Sequence, residues 1–213
     1  MCGRYRRTTS EEELARLYHI PIPKQTDLPI SYNIAPSQKV LTIRFNPETR
    51  ERSLDALQWG LVPYWSKDPK IGYKTINARV ETVDTAASYR QAFKKRRCLI
   101  PADGFYEWKK VVGGKIPYSI GMKDNGPFVF AGLWEGWRNP ETEEWLRTCT
   151  IITGEPNELV SQIHTRMPVI GCWGAMEQKT GLSKFQATSS RTSAGFLNGR
   201  NSPRVTASGT EKA

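Results

Sequence analysis

The sequence predicts an α+β fold, in which a single domain has a central antiparallel, β-barrel-like sheet and flanking helices. Short apolar runs follow one another between residues 98 and 153, separated by clusters of Gly, Pro, Asn and Asp, as in an antiparallel sheet or barrel. Helical patterns occur at 9–18, 86–97 and 156–164. One α+β domain accommodates both kinds of pattern.

The N-terminal half is predicted to begin with a helix and to continue with two strands. Within 9–18, a Ser or Thr is followed three residues later by Glu, as in a capping box, and apolar residues share one face. The run VLTIRF at 40–45 predicts a strand. DALQWGLVPYW at 55–65 predicts an aromatic strand that runs into a loop broken by proline.

The C-terminal half is predicted to be mainly β. It begins with a short basic helix over 86–97, in which Tyr89 and Phe93 lie one turn apart. The strand-like runs that follow are CLIPADGFYEWKK, IPYSIGM, PFVFAGLWEGW and LRTCTIIT. A last helix is predicted over 156–164, with Pro156 near its first turn.

Length and composition limit the class of protein. The 213 residues are 38% hydrophobic and 24% charged, as in a soluble globular protein. No run approaches the roughly 20 apolar residues of a membrane span, and the N-terminus lacks the apolar core of a signal peptide. We therefore expect an intracellular protein, in cytoplasm, nucleoid or nucleus, with no membrane partner. We also expect a monomer.

The charge balance is strongly basic. There are 31 Lys and Arg against 21 Asp and Glu, a formal net charge of +10. This balance favours a polyanionic partner, nucleic acid above all, because cations neutralise phosphates and release counterions. A basic surface without a partner is the alternative. Aromatic residues between 59 and 108 are interleaved with Lys and Arg, which suits base stacking as well as core packing.

The sequence predicts neither a metal nor a cofactor. Its cysteines are far apart and form no C-x-x-C pair, which argues against a disulfide framework and a zinc site; they are Cys2, Cys98, Cys149 and Cys172. Two histidines, His19 and His164, are too few for a histidine-based metal centre. We expect metal-free chemistry.

The chain divides into two regions that differ in composition and in apolar periodicity. Residues 1–170 carry the periodic patterns and form the predicted domain. Residues 171–213 contain six Gly, six Ser and five Thr with scattered Lys and Arg. Such a composition buries too little apolar surface to offset its ordering entropy. We predict an atypical, mostly disordered basic tail.

Cys2, in MCGRY, is the first candidate nucleophile. If Met1 is removed, an α-amine with a pKa of about 7.7–8.0 lies beside a thiol with a pKa of about 8.5, so each is partly nucleophilic near neutral pH. The amine can condense with an aldehyde to an imine, and the thiol can then close a five-membered thiazolidine intramolecularly. By itself, Cys2 is also compatible with an incidental cysteine.

Other candidates lie in three short segments. Glu107 lies between two aromatic residues, and alternation along a strand favours a surface carboxylate over a catalytic one. Asn77 and Arg79 share a face if their segment is extended, and they suit a sugar or backbone group and a phosphate. His164 ends a predicted helix and can move protons near neutral pH, or it is a capping or core residue. Arg166 adds a possible phosphate contact.

Six motifs together resemble the SRAP family, the SOS-response-associated peptidase or abasic-site processing family. They are MCGRY, YNIAPSQ (32–38), WGLVPYW (59–65), NARVET (77–82), PADGFYEW (101–108) and HTRMPV (164–169). The match covers residues 2–170. The resemblance implies a single SRAP-type domain and autocatalytic removal of Met1, which exposes Cys2.

The resemblance also implies a substrate and roles for the candidate residues. The substrate would be an abasic site in single-stranded DNA, which Cys2 would trap as a thiazolidine crosslink that shields the lesion during the DNA damage response. Asn77 would position the N-terminus and the sugar. Glu107 would assist sugar-ring opening, and His164 would move protons during imine formation and reversal. The implied phosphate, base or site-organising contacts are Arg4, Pro36, Trp65, Arg79, Trp108 and Arg166.

Three other functions remain open at this stage. Glutamine amidotransferases also begin with Met-Cys-Gly, so an N-terminal-nucleophile amidohydrolase shares the need for a freed Cys2; the blocks NARVET, DGFYEW and HTRMPV argue against it. A catalytically impaired module that binds single-stranded DNA fits the atypical C-terminal tail. A protease that acts on other proteins is the third alternative.

Overall fold

The computed structural model describes residues 2–21, 26–171 and 203–207. The strands are β1 Arg4–Arg7, β2 Ser31–Ile34, β3 Lys39–Phe45, β4 Arg52–Trp59, β5 Asn77–Arg79, β6 Arg97–Ala102, β7 Gly104–Val111, β8 Gly114–Met122, β9 Phe128–Arg138, β10 Trp145–Gly154, β11 Met167–Pro168, β12 Ile170–Gly171 and β13 Pro203–Ala207. The helices are α1 Glu11–Leu17, α2 Arg90–Lys95, α3 Glu158–Ser161 and a 3-10 helix over Pro69–Lys74.

The strands form two sheets. The larger has the order β11-β10-β4-β3-β6-β9-β12, with β5 attached to β10. Because β9 also pairs with β10, the strands β10, β4, β3, β6 and β9 form a closed ring of five. The smaller sheet has the order β13-β8-β7-β1-β2. The fold is therefore mostly β with few helices, and the predicted antiparallel barrel is matched in part: β10 runs parallel to β4 and to β5.

Helices α1, α2 and α3 are where the sequence predicts them, but they are shorter, and the 3-10 helix at Pro69–Lys74 was not predicted. Of the two possible capping boxes, the structure has the one at Ser10, whose side chain accepts a hydrogen bond from the backbone of Glu13. The predicted helix at 86–97 is helical only over 90–95. In α3 the Asn157 side chain accepts from the backbone of Val160, and the helix ends after one turn. Within the described residues, no helix is long and apolar enough to cross a membrane.

The main core lies inside the ring and against the smaller sheet. Tyr5 of β1 contacts Trp59 and Phe130 edge to face, with ring centroids 5.4 and 5.6 Å apart. Burial alternates along β1, so Tyr5 and Arg7 lie on the core face and Arg4 and Arg6 on the outer face. The smaller sheet therefore has one face toward the core and one face outward.

Part of the predicted tail belongs to the smaller sheet. Strand β13 pairs antiparallel with β8, from Pro203 opposite Met122 to Ala207 opposite Tyr118. Backbone hydrogen bonds hold the two strands together, so β13 needs no alternation of apolar residues in its sequence. The pairing also covers the β8 edge, whose N–H and C=O groups would otherwise lack strand partners. The remainder of the tail after Gly171, including Cys172, lies outside the described residues.

Candidate functional site

Cys2 is completely buried, just ahead of β1. Its backbone carbonyl accepts a hydrogen bond of 2.9 Å from Asn77 Nδ2. Asn77 begins β5, which runs parallel to β10 with Asn77 opposite Ile151. The Tyr89 hydroxyl donates to the Asn77 carbonyl at 3.1 Å. Two elements thus fix Asn77, and Asn77 fixes the N-terminal segment.

The Asn77 side chain retains one open acceptor. Its Oδ1 atom is buried and has no hydrogen-bond partner among the described residues. A buried carbonyl oxygen without a partner costs free energy, so an incoming donor would be favoured there. An amine, or a hydroxyl of a bound sugar, has the required N–H or O–H group.

Glu107 is buried, with 2% of its surface exposed. The prediction of a surface carboxylate from alternation was therefore wrong. Glu107 does point to the opposite side of β7 from its aromatic neighbours, but its side is the buried one. Phe105 and Glu107 are on the core face, whereas Trp108 is 38% exposed on the outer face. A strand between β1 and β8 buries whichever face covers the ring, irrespective of which residues are aromatic.

His164 lies next to Glu107. Its Nε2 is 4.0 Å from Oε2 of Glu107. The backbone N–H of Arg166 lies 3.0 Å from His164 Nδ1, and the carbonyl oxygen of Arg166 lies 3.2 Å from the same nitrogen. These contacts orient the ring so that Nε2 faces the carboxylate, and this pair can exchange a proton with a bound molecule.

The thiol of Cys2 is held in its neutral form. Burial raises its pKa far above the ordinary value, and the Glu107 carboxylate raises it further. A free α-amine titrates near about 7.7–8.0. The amine is therefore the more readily available nucleophile, and the thiol must lose its proton before its sulfur can attack.

Arg166 is engaged by the protein itself. Its guanidinium donates to both carboxylate oxygens of Glu81 at 3.0 and 2.8 Å, and to the Thr153 carbonyl at 2.6 Å. Such a bidentate pair fixes the plane of the guanidinium.

Glu81 and Tyr89 have positioning contacts that the sequence reasoning missed. Glu81 could have been found from the sequence, because it is the acidic residue of the NARVET motif and lies two residues after Arg79.

The other predicted contact residues lie around this cluster at different places. Arg79, at the end of β5, is exposed. Arg4 is on the outer face of β1 and donates to Asn33 Oδ1 at 2.9 Å. Trp65, 48% exposed, lies in the loop after β4. Pro36 is in the turn between β2 and β3. Arg4 and Trp108 thus share the outer face of the smaller sheet, opposite to Glu107.

Several known proteins are similar to this chain. The abasic site processing protein YoqW of Bacillus subtilis is 49% identical over 173 residues, which are 80% of this chain and 75% of that protein. The abasic site processing protein YedK of Escherichia coli is 32% identical over 178 residues, with the same two coverages.

Solved structures have the same fold. A crystal structure of a protein from Bacteroides thetaiotaomicron superposes with a TM-score of 0.75 at 27% identity, over 83% of this chain and 80% of that one. A Bordetella bronchiseptica protein also gives a TM-score of 0.75, at 25% identity over 97% and 99% of the two chains. The family model described as SOS response associated peptidase (SRAP) matches residues 1–198, past the last predicted motif. The chain belongs to the SRAP family.

Proposed function

We propose that this protein processes abasic sites in single-stranded DNA and forms a covalent thiazolidine with them through Cys2, once Met1 has been removed. The observation that carries the proposal is that half-buried Asn77 and His164 contact, respectively, the buried Cys2 and Glu107, which lie close enough to interact electrostatically. Relatives named as abasic site processing proteins support it. Family membership argues against the amidohydrolase alternative.

The reaction begins with the freed α-amine of Cys2. Hydrolysis of the Met1–Cys2 peptide bond releases this amine. Glu107 and His164 then transfer protons while the abasic sugar opens to its aldehyde. The amine attacks the aldehyde carbon, and the resulting carbinolamine loses water to give an imine. Asn77 Oδ1, a buried acceptor, can hold the amine or a sugar hydroxyl during this step.

Ring closure completes the crosslink. The sulfur of Cys2 bonds to the imine carbon, and the thiol proton passes to the imine nitrogen through Glu107. In total, aldehyde and aminothiol give thiazolidine and one water, with no oxidant or reductant. Because the raised pKa of the buried thiol disfavours the thiolate, a base must take the thiol proton as the sulfur attacks, and Glu107 is the carboxylate beside it.

The DNA contacts are assigned by exposure. Arg79 is exposed two residues from Asn77 and suits a phosphate near the lesion. Trp65 and Trp108 have exposed indole surface for base stacking, with Pro36 and Arg4 as further contacts. Arg166, held by Glu81, organises the site rather than meeting a phosphate.

A crosslinking gel tests the proposal. Folded, processed protein is incubated with an abasic single-stranded oligonucleotide and separated under denaturing conditions. Wild type should give a stable adduct, and its intact mass should lack Met1. Cys2→Ala, checked by intact mass to lack Met1, keeps an α-amine at residue 2, so it should give an adduct only when borohydride traps the imine. Cys98→Ala, which removes another buried thiol, is the control and should crosslink like wild type.

Each outcome of this experiment is decisive. A stable Cys2→Ala adduct without borohydride would exclude the thiazolidine. No adduct from wild type, with or without borohydride, would exclude the crosslinking function. Retention of Met1 in a protein that still crosslinks would exclude the free amine as nucleophile.

A further inference from the structure

The hairpin formed by β7 and β8 has a pair of like charges on its outer face. Lys110 lies directly opposite Lys115 in the ladder, and opposed residues of an antiparallel pair point to the same side, where like charges repel. Both lysines are exposed. No ion pair between described residues includes either of them. An anion bound between them would relieve this repulsion.

An exposed aromatic side chain adjoins the lysine pair. Trp108 is two residues before Lys110 and therefore on the same face, about 7 Å away along the strand. It lies opposite Pro117. A flat apolar surface beside two cations is the combination that holds a single nucleic-acid strand, by base stacking and by phosphate neutralisation.

The surface formed by Trp108, Lys110 and Lys115 begins at the end of the smaller sheet where Cys2 lies. In the antiparallel β1–β7 ladder, Arg4 is opposite Tyr106. Cys2 precedes Arg4 by two residues and Trp108 follows Tyr106 by two, so both lie beyond the same end of the ladder. Strand β13 pairs with β8 only as far as Tyr118. Among the described residues, no strand pairs with the β8 edge from Pro117 to the tip.

We propose that Lys110 and Lys115 extend the DNA contact already assigned to Trp108, so that the three residues form a hairpin clamp for the DNA strand that flanks the lesion. A base next to the abasic site stacks on Trp108, and the two phosphates beyond it are neutralised by Lys110 and Lys115. The position of the lesion rests on the proposed function, whereas binding of a single DNA strand by the clamp does not. The net charge of +10 agrees with an anionic partner.

The same hairpin offers a matched control for the test. Lys109 carries the same charge on the other face, opposite Ile116. The comparison uses wild type, the double variant Lys110→Ala/Lys115→Ala, Lys109→Ala and Trp108→Ala. Binding of a fluorescein-labelled, lesion-free single strand of roughly 16 nucleotides is measured by anisotropy at several salt concentrations.

The double variant should bind roughly tenfold more weakly at about 0.1 M salt, and its slope of log K against log salt should be shallower by about 1.4. Trp108→Ala should weaken binding with the salt slope unchanged, because stacking releases no counterions. Lys109→Ala should match wild type in both affinity and salt slope. The double variant should melt no lower than wild type, since its repulsion is gone.

The clamp is overturned if the double variant and Lys109→Ala have the same affinity and salt slope. On abasic DNA, the double variant should need more DNA for half-maximal crosslinking and reach the wild-type rate at saturation. A lower rate at saturation with unchanged half-saturation also overturns the clamp. Absence of any wild-type crosslink contradicts the proposed function alone, because the lesion-free binding series still decides the clamp.

Discussion

Asn77 holds Cys2 by its backbone, not by its thiol: Nδ2 donates to the Cys2 carbonyl at 2.9 Å. The carbonyl contact leaves both the sulfur and the α-nitrogen of Cys2 out of this hydrogen bond. Because β10 and Tyr89 hold Asn77 in turn, the position of the nucleophile depends on the core sheet. A chain terminus ordinarily has no such anchor.

Asn77→Ala should slow crosslinking more than it destabilises the protein. Loss of one hydrogen bond costs about 1 kcal/mol of unfolding free energy, whereas a nucleophile displaced by about 1 Å can react a hundredfold more slowly. Single-turnover crosslinking and urea unfolding measure the two effects. Asn46→Ala is the control, since it removes a side-chain hydrogen bond in a distant turn. Equal crosslinking rates in both variants would contradict the anchoring role.

Glu107→Gln should retain the fold and lose most of the activity. The amide keeps the shape of the carboxylate but cannot exchange a proton, and general acid–base groups contribute about 10²–10⁴-fold to rate. The measurement is the crosslinking rate at saturating DNA. Glu135→Gln changes another buried glutamate, one paired with Arg96. A folded Glu135→Gln protein should crosslink at the wild-type rate, and a comparable loss in both variants would count against Glu107.

The protein should lose stability in mildly alkaline solution. Burial raises the pKa of Cys2, of Cys98 and of Cys149, the last to about 12. Unfolded thiols ionise above about 8.5 while the folded ones stay protonated. The unfolded state then binds fewer protons, so the free energy of unfolding falls with pH, by roughly 1 kcal/mol per unit for each thiol.

Urea midpoints in reducing buffer between about pH 8.5 and 9.5 test this slope. Below the unfolded pKa all three thiols are protonated in both states, and their contribution should be constant. Cys98→Ala removes one of the groups and should make the slope shallower, whatever it does to the absolute stability. A flat or rising profile in the wild type would contradict the prediction.

Arg166→Lys should affect the chemistry more than DNA binding. Lysine cannot reproduce the fork to Glu81 and the bond to Thr153, so the segment that carries His164 should shift and crosslinking should slow by roughly tenfold. Arg138→Lys is the control, because it changes an exposed pair with Glu143. The salt slope of DNA binding is measured with Arg166→Gln, which removes the charge: we expect an unchanged slope, and a shallower slope would instead make Arg166 a phosphate contact.

Local patterns predicted much of the fold. The capping residue Ser10, the strand at 40–45 and the β-rich second half depend on neighbours within a few positions, and the structure has all three. The full lengths of the helices were not predictable, because short helices depend on tertiary packing more than on local propensity: 86–97 is helical only over Arg90–Lys95, and 156–164 only over Glu158–Ser161. Pairing across long separations was not predictable either, and the parallel β4–β10 contact is an example.

The sequence by itself determined which groups are present: a cysteine beside the N-terminus, and an Asn, a Glu and a His in motifs that mark the family. Only the tertiary structure decided which face of each strand is buried. Alternation specifies parity but not which side meets the core, so Glu107 was expected at the surface and is instead 2% exposed. The same choice of face put Trp108 and the opposed Lys110 and Lys115 outside, because β7 must turn one side toward the ring.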